Sequence, residues 1–275
     1  MNLKKYLNLK DFVSFIRGLY NNRLIILQLT KKEIRKQYIG SFLGITWSFA
    51  QPLFYVGAIS LVFTIGLRGA RTAGDLPFVL YLVSGIIVWF FFAECLTSGA
   101  NSILQNSYLV QKIVFRVSML PVIKILAALF IHSIFLIVVI ILYMTHLKFP
   151  DIFYLQLIYY LFATLMLVLG ISWITSSVVP FFRDLQQIIQ IITRIGFWFT
   201  PIFWSIDRLP NKYQWIIKIN PAVYLVQGYR DCLINKVWFW ERPYYTLYFW
   251  LITLLIFSLG SIIFRRLKPH FADVL

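Results

Sequence analysis

The sequence predicts an all-α polytopic membrane protein, and three observations carry that prediction. Of the 275 residues, 60% are hydrophobic and only 13% charged, where a soluble globular domain is about half apolar and about a quarter charged. Six apolar runs approach the ~20 residues a helix needs to cross the hydrocarbon core. The 26 Lys and Arg residues cluster outside those runs. Together these features exclude a soluble domain, and an aromatic content of 19% excludes a disordered chain. The net charge of +16 in that distribution suits anionic lipid headgroups, and no basic motif with a nucleic-acid-binding spacing is present.

The first element is a cytoplasmic amphipathic arm over 1–41. Phe12, Ile16, Leu19 and Tyr20 share a face at helical spacing, Asn21 and Asn22 interrupt, and Leu24, Leu27, Ile34 and Tyr38 continue it against basic residues. Such a helix lies in the headgroup plane of an anionic leaflet. No cleavable signal peptide is expected, because the arm has no continuous apolar core.

A six-span domain is expected over 42–275, with transmembrane helices at 42–66, 78–96, 120–143, 152–179, 188–206 and 244–264. An even count puts both termini on one side. The arm carries nine basic residues (Lys4, Lys5, Lys10, Arg17, Arg23, Lys31, Lys32, Arg35, Lys36), and the tail adds Arg265, Arg266 and Lys268. By the positive-inside rule that side is the cytoplasm. The segment 207–242 opposes this with six basic residues on the outer side, partly offset by Asp207, Asp231 and Glu241.

Three connections stand out. Segments 97–116 and 180–187 read as helical cytoplasmic knuckles that a peripheral partner could grip. Segment 207–242 reads as an external hairpin: Trp215, Ile216 and Ile219, then the breaker Asn220-Pro221, then Val223, Tyr224 and Val226. Its two half-apolar helices are each too short to cross, so they dip into or lie on the outer interface as a re-entrant hairpin before the last span. The two halves of the chain show no internal repeat, against a transporter built on inverted repeats.

Chemistry-bearing residues are sparse. His132, His146 and His270 fall in a span, a turn and the tail, a scatter that fits no metal site, and His132 reads as a polar residue bonded to a neighbouring helix. Cys95 and Cys232 are too far apart in sequence to suggest a zinc site or a disulfide framework. There is no phosphate-binding Gly-x-x-x-x-Gly-Lys-Ser/Thr loop, so energy for uphill work arrives from an ion gradient or another chain. Only Glu94, Lys124 and Arg194 are ionisable within spans, each near a cytoplasmic end, where snorkelling or a structural ion pair accounts for them. The spans are rich in rings, with Trp89, Phe90, Phe91 and Phe92 in the second, Tyr159, Tyr160 and Phe162 in the fourth, and Phe197, Trp198, Phe199, Phe203 and Trp204 in the fifth. Such faces suit the CH faces of sugars, and interfacial belts use the same residues.

Lys36-Gln37-Tyr38-Ile39-Gly40-Ser41-Phe42-Leu43-Gly44-Ile45-Thr46-Trp47 with Gln51-Pro52-Leu53, Phe181-Phe182-Arg183-Asp184-Leu185, Phe197-Trp198-Phe199-Thr200-Pro201-Ile202, Asn220-Pro221 and the tail Arg266 to Leu275 follow one another in order. This set resembles the type-2 ABC exporter permeases of the polysaccharide and polyol phosphate export family, the membrane subunits for O-antigen, capsule or teichoic acid. The resemblance covers essentially the whole chain.

It implies a homodimer bound to two copies of a separate ATPase, with ATP and Mg on that partner and no cofactor in this chain. It implies coupling segments, here with Asn106, Tyr108, Arg183 and Asp184, and an external pair of gate helices. It places the substrate path at the dimer interface, which makes Trp89, Phe90, Phe197, Trp198 and Phe199 lining candidates. The implied cargo is an undecaprenyl-diphosphate-linked glycan crossing a bacterial cytoplasmic (inner) membrane, with Arg35 and Lys36 as candidate contacts to its headgroup. Rival readings are a small-lipid or drug exporter permease and a membrane glycosyl- or acyltransferase; the enzyme would need an acid cluster that the sequence lacks.

Overall fold

The computed structural model describes residues 9–38, 42–62, 78–110, 116–147 and 151–275, and among these residues every regular element is a helix. The arm forms α1 (Leu9–Asn21) and α2 (Arg23–Tyr38). They part at Asn22, whose side-chain amide donates to the Gly18 carbonyl at 2.8 Å, so the Asn pair interrupts the helix as its sequence suggests. The inward face of α2 differs from the expected one. Ile26 and Thr30 are buried with Leu29 and Glu33 half-buried beside them, whereas Leu24 and Leu27 are exposed. An arm helix lying on a bundle has two apolar neighbours, protein and lipid, and periodicity alone does not say which stripe meets which. The side chains of Phe12, Ile16 and Tyr38 lie outside the described residues.

The bundle continues with α3 (Trp47–Leu61), α4 (Phe78–Ala100), a short α5 (Ser107–Val110), α6 (Leu120–Leu147), α7 (Gln156–Val178), α8 (Leu185–Phe199), α9 (Asn211–Lys218), α10 (Pro221–Arg230), α11 (Pro243–Leu267) and the terminal α12 (Phe271–Val274). Among the described residues four helices, α4, α6, α7 and α11, are long and apolar enough to cross a membrane. They correspond to the second, third, fourth and sixth predicted spans. The first and fifth are shorter: α3 and α8 have 15 residues each, about 22 Å at 1.5 Å per residue against a hydrocarbon core of about 30 Å. Residues 63–66 of the predicted first span lie outside the described residues. The fifth helix stops at Phe199 because Pro201 forces Thr200 into an extended conformation, with ψ at 136°.

α4 is the axle of the molecule. Leu82, Ile86, Ile87, Trp89 and Cys95 are all buried, packed among α6, α7 and α10 in one apolar core. α7 and α11 approach most closely. A Cβ on Gly260 would lie 2.5 Å from the Gly170 carbonyl oxygen, and one on Gly170 would lie 2.9 Å from the Phe257 Cα, so only glycine permits this backbone contact. Gly228 plays the same part for α10, where a Cβ would lie 2.1 Å from the Tyr160 ring.

A second core sits at the arm end. Ile26 of α2, Ile103, Met119, Trp173 of α7, Phe264 of α11 and Phe271 of α12 bury one another, with Phe15 of α1 set edge-on against Trp173 at 5.1 Å. The N-terminal arm, the segment after α4 and the C-terminal tail therefore form one layer. Arg116 fixes it further by donating to the Ser14 carbonyl at 3.1 Å.

Candidate functional site

Four of the five aromatic candidates, Trp89, Phe90, Phe197 and Trp198, meet around Phe197 of α8. Its ring lies 6.3 Å from Trp89 and 6.5 Å from Phe90 of α4, 5.6 Å from Trp198 and 5.1 Å from Phe203. Tyr55 of α3, which is not among the sequence candidates, joins at 5.2 Å from Phe90 and 6.2 Å from Phe197; a ring in an apolar run is the signal that marks it. The five candidates divide. Trp89 and Phe197 are buried and hold α4 against α8, with Gly196 opposite the Trp89 ring. Phe90 is half-buried. Trp198 and Phe199 are 67% and 64% exposed. Ile188, Ile191, Ile192 and Ile195 of α8 and Phe54 of α3 are also exposed, so this flank of the bundle is an uncovered apolar and aromatic surface.

Where α8 ends, Arg230 takes over. It is 2% exposed, and its guanidinium donates to the carbonyls of Pro201 and, at 2.7 Å, Ile202. Both carbonyls belong to the buried, non-helical backbone just past the end of α8. The same group sits over the Tyr81 ring, whose hydroxyl donates to the Trp204 carbonyl at 2.9 Å. Asn220 caps α10 by accepting from the Ala222 amide at 3.0 Å, and Pro221 occupies the first helical position. The two short helices differ in setting: Trp215, Ile216 and Ile219 at α9 are exposed, whereas Val223 to Val226 of α10 are buried against the bundle. A cation within a half-apolar helix asks for a partner, and that is the sequence signal that marks Arg230.

Beside α10, Tyr224 shares hydrogen bonds with the Tyr159 hydroxyl at 2.9 Å and the Thr246 hydroxyl at 3.1 Å, and Asp231 pairs with Arg242 at 2.9 Å. The crevice that Tyr224, Thr246, Asp231 and Arg242 line with Tyr160 and Phe239 is about the size of one water molecule, too small for a sugar ring.

At the arm end, Lys124 of α6 is 3% exposed and pairs with Glu33 of α2. Its ammonium also donates to Gln105 at 2.7 Å. The expected structural ion pair thus exists, with a partner from the arm. Arg194 is exposed on α8. Arg35 and Lys36 are exposed in the last turn of α2, where cations complement the helix dipole.

Asn106 is half-buried and donates to the Ser102 carbonyl at 2.8 Å; Tyr108 is exposed beneath Lys32, 5.7 Å from its ring centroid. Arg183 and Asp184 are both exposed in the turn leading into α8, and the structure has no ion pair between them. His132 accepts or donates a 2.9 Å hydrogen bond with Tyr229 of α10, the neighbouring-helix contact expected of it. Among the described residues no three His, Cys, Asp or Glu side chains gather where a metal could be held.

Comparison with known proteins adds to this geometry. The ABC-2 type transporter family profile matches residues 25–234. An O-antigen export system permease protein RfbA of Klebsiella pneumoniae is 28% identical over 254 residues, covering 91% of this chain and 95% of its own. The RfbA permease of Myxococcus xanthus is 24% identical, covering 79% of this chain and 83% of its own. The polysialic acid transport protein KpsM of Escherichia coli is 22% identical, covering 79% and 84%.

Proposed function

The chain belongs to the ABC-2 type transporter family, and from that premise we propose that it is the membrane permease subunit of an exporter of O-antigen or capsular polysaccharide, driven by ATP hydrolysed on a separate chain. The observation that carries the reading is the near full-length similarity to O-antigen export permeases. The exposed aromatic flank of α3 and α8 supports it structurally.

In this reading α3 and α8 are the first and fifth crossings, which makes six with the four long helices and brings both termini to the cytoplasm. The basic arm supports that orientation. A second copy covers the α3–α8 flank, and the glycan passes between the two copies along Phe90, Trp198 and Phe199, whose exposure fits rings that touch cargo. Trp89 and Phe197 hold those rings in place from behind. Weak, repeated ring contacts let a polymer slide, because conduction needs binding loose enough to leave.

The exposed Arg35 and Lys36 contact the diphosphate of an undecaprenyl-linked glycan at the cytoplasmic entrance. The exposed turn with Arg183 and Asp184, and the segment with Asn106 and Tyr108, receive the ATPase. The α9–α10 pair forms a gate on the outer side, with α10 re-entrant.

Purification of the chain with its ATPase partner tests the reading. The expected result is ATP hydrolysis by the complex, none by the chain alone, and ATP-dependent delivery of undecaprenyl-diphosphate-linked glycan across proteoliposomes. A complex that hydrolyses ATP and moves no glycan counts against it.

A further inference from the structure

The arm and the segment after α4 are fastened to each other at two places. Lys124 is buried, and a buried ammonium persists only where partners compensate its lost hydration. Its partners come from two different elements: Glu33 of α2, and Gln105 of the 3-10 turn Leu104–Asn106 that leads into α5. One residue before Glu33, Lys32 places its ammonium over the ring of Tyr108. Neighbouring residues of one arm helix therefore reach both ends of the segment 105–108, Lys32 directly and Glu33 through Lys124, and Ile103 is buried in the same core as Ile26 of α2. Arg35 and Lys36 follow within one turn on the same helix.

Resting on the function proposed above, we infer that Lys124 is a positioning residue that couples the ATPase-facing segment to the headgroup-facing arm. A displacement of segment 105–108 during the nucleotide cycle either breaks the Lys124–Gln105 hydrogen bond and the Lys32–Tyr108 contact or carries Lys124 and α2 with it. The second course moves Arg35 and Lys36 at the entrance. The coupling is reciprocal: headgroup occupancy on α2 reaches the ATPase along the same contacts. The ATPase stroke thus arrives at the lipid diphosphate through the arm, besides any motion of the spans.

The test uses the purified permease–ATPase complex in detergent, with undecaprenyl diphosphate as probe and the change in ATP hydrolysis on its addition as readout. Lys124→Gln and Glu33→Gln are expected to leave hydrolysis in place and to cut the response to the probe by at least about fivefold, the low end of ordinary coupling factors. Lys124→Arg is expected to keep it.

A merely structural role is separated by a rescue. Lys124→Met loses the response, and in that background Glu33→Cys with Gln105→Cys, joined by a short bis-maleimide, regains it. Complexes of Lys124→Gln and Glu33→Gln that respond like the native one overturn the proposal, as does a joined complex that assembles and stays unresponsive. Should Lys124→Gln not assemble, Glu33→Gln decides: a native response overturns the proposal and a lost response supports it. A native complex that hydrolyses ATP and ignores the probe defeats the headgroup reading itself, before any variant is compared.

Discussion

The guanidinium carbon of Arg230 lies 3.8 Å from the centroid of the Tyr81 ring. With its two bonds to the carbonyls at the end of α8, this contact lets one side chain of α10 hold the start of α4 and the broken end of α8 together. A planar fork suits that task, since it spans two carbonyls and stacks on a ring.

Replacing Arg230 by Met removes the donors and leaves the Pro201 and Ile202 carbonyls buried without partners, at about 1–3 kcal/mol each. The variant is expected to melt earlier in detergent and to exchange amide hydrogens faster over 200–205 and 221–230. Arg230→Lys recovers part of the loss, because an ammonium lacks the fork. Native melting and exchange in Arg230→Met would rule out the latch.

The aromatic residues are expected to separate by burial. Trp89→Ala and Phe197→Ala each empty a packed site, a loss of about 3–5 kcal/mol, and lower the amount of folded permease. Phe90→Ala, Trp198→Ala and Phe199→Ala keep assembly with the ATPase and reduce export of long polymer. Export measured at matched membrane levels makes the comparison, and normal export by all three of the latter ends the aromatic-path reading.

At the turn into α8, Asp184 is exposed and does not cap the helix with its side chain. Asp184→Ala is therefore expected to cost under about 1 kcal/mol of stability, the scale of an exposed charge, while lowering export and ATPase stimulation in the complex. Unchanged export with this variant leaves Asp184 a solvated residue.

Asp151 precedes α7 and lies outside the spans. Its hydrogen bond with Lys236, at 2.7 Å in the ion pair, and the bond from the Ile152 amide hold its carboxyl below the usual range. A depressed acid contributes stability that is present above its unfolded value, about pH 4, and lost as pH falls through the lowered value in the fold. Asp151→Asn should melt below the native protein above about pH 4 and converge with it in stronger acid. A constant difference across that range refutes the assignment.

The long spans were legible because twenty apolar residues have few other uses. The break of α8 was legible less well: the aromatic run continues past Pro201 to Trp204, and the apolar count outweighed the proline. Contacts such as Lys124 with Glu33, 91 residues apart, leave no periodic trace. Nor does the choice that turns Ile26 and Thr30 inward while Leu24, at 68% exposure, faces out. The aromatic candidates were found as a group, and the division of Trp89 and Phe197 from Trp198 and Phe199 needed the register of α8 against α4.

The glycine contact between α7 and α11 sets where the molecule can change shape. Helices whose backbones touch have no side-chain layer to shear through, so Gly170 and Gly260 make the pair a single strut with Trp173 and Phe257 braced across it. Across the bundle, α3 and α8 are short and joined by rings that can re-stack. In the proposed transport cycle the α3–α8 flank is therefore the wall expected to move, and the α7–α11 pair the strut expected to keep its length and tilt.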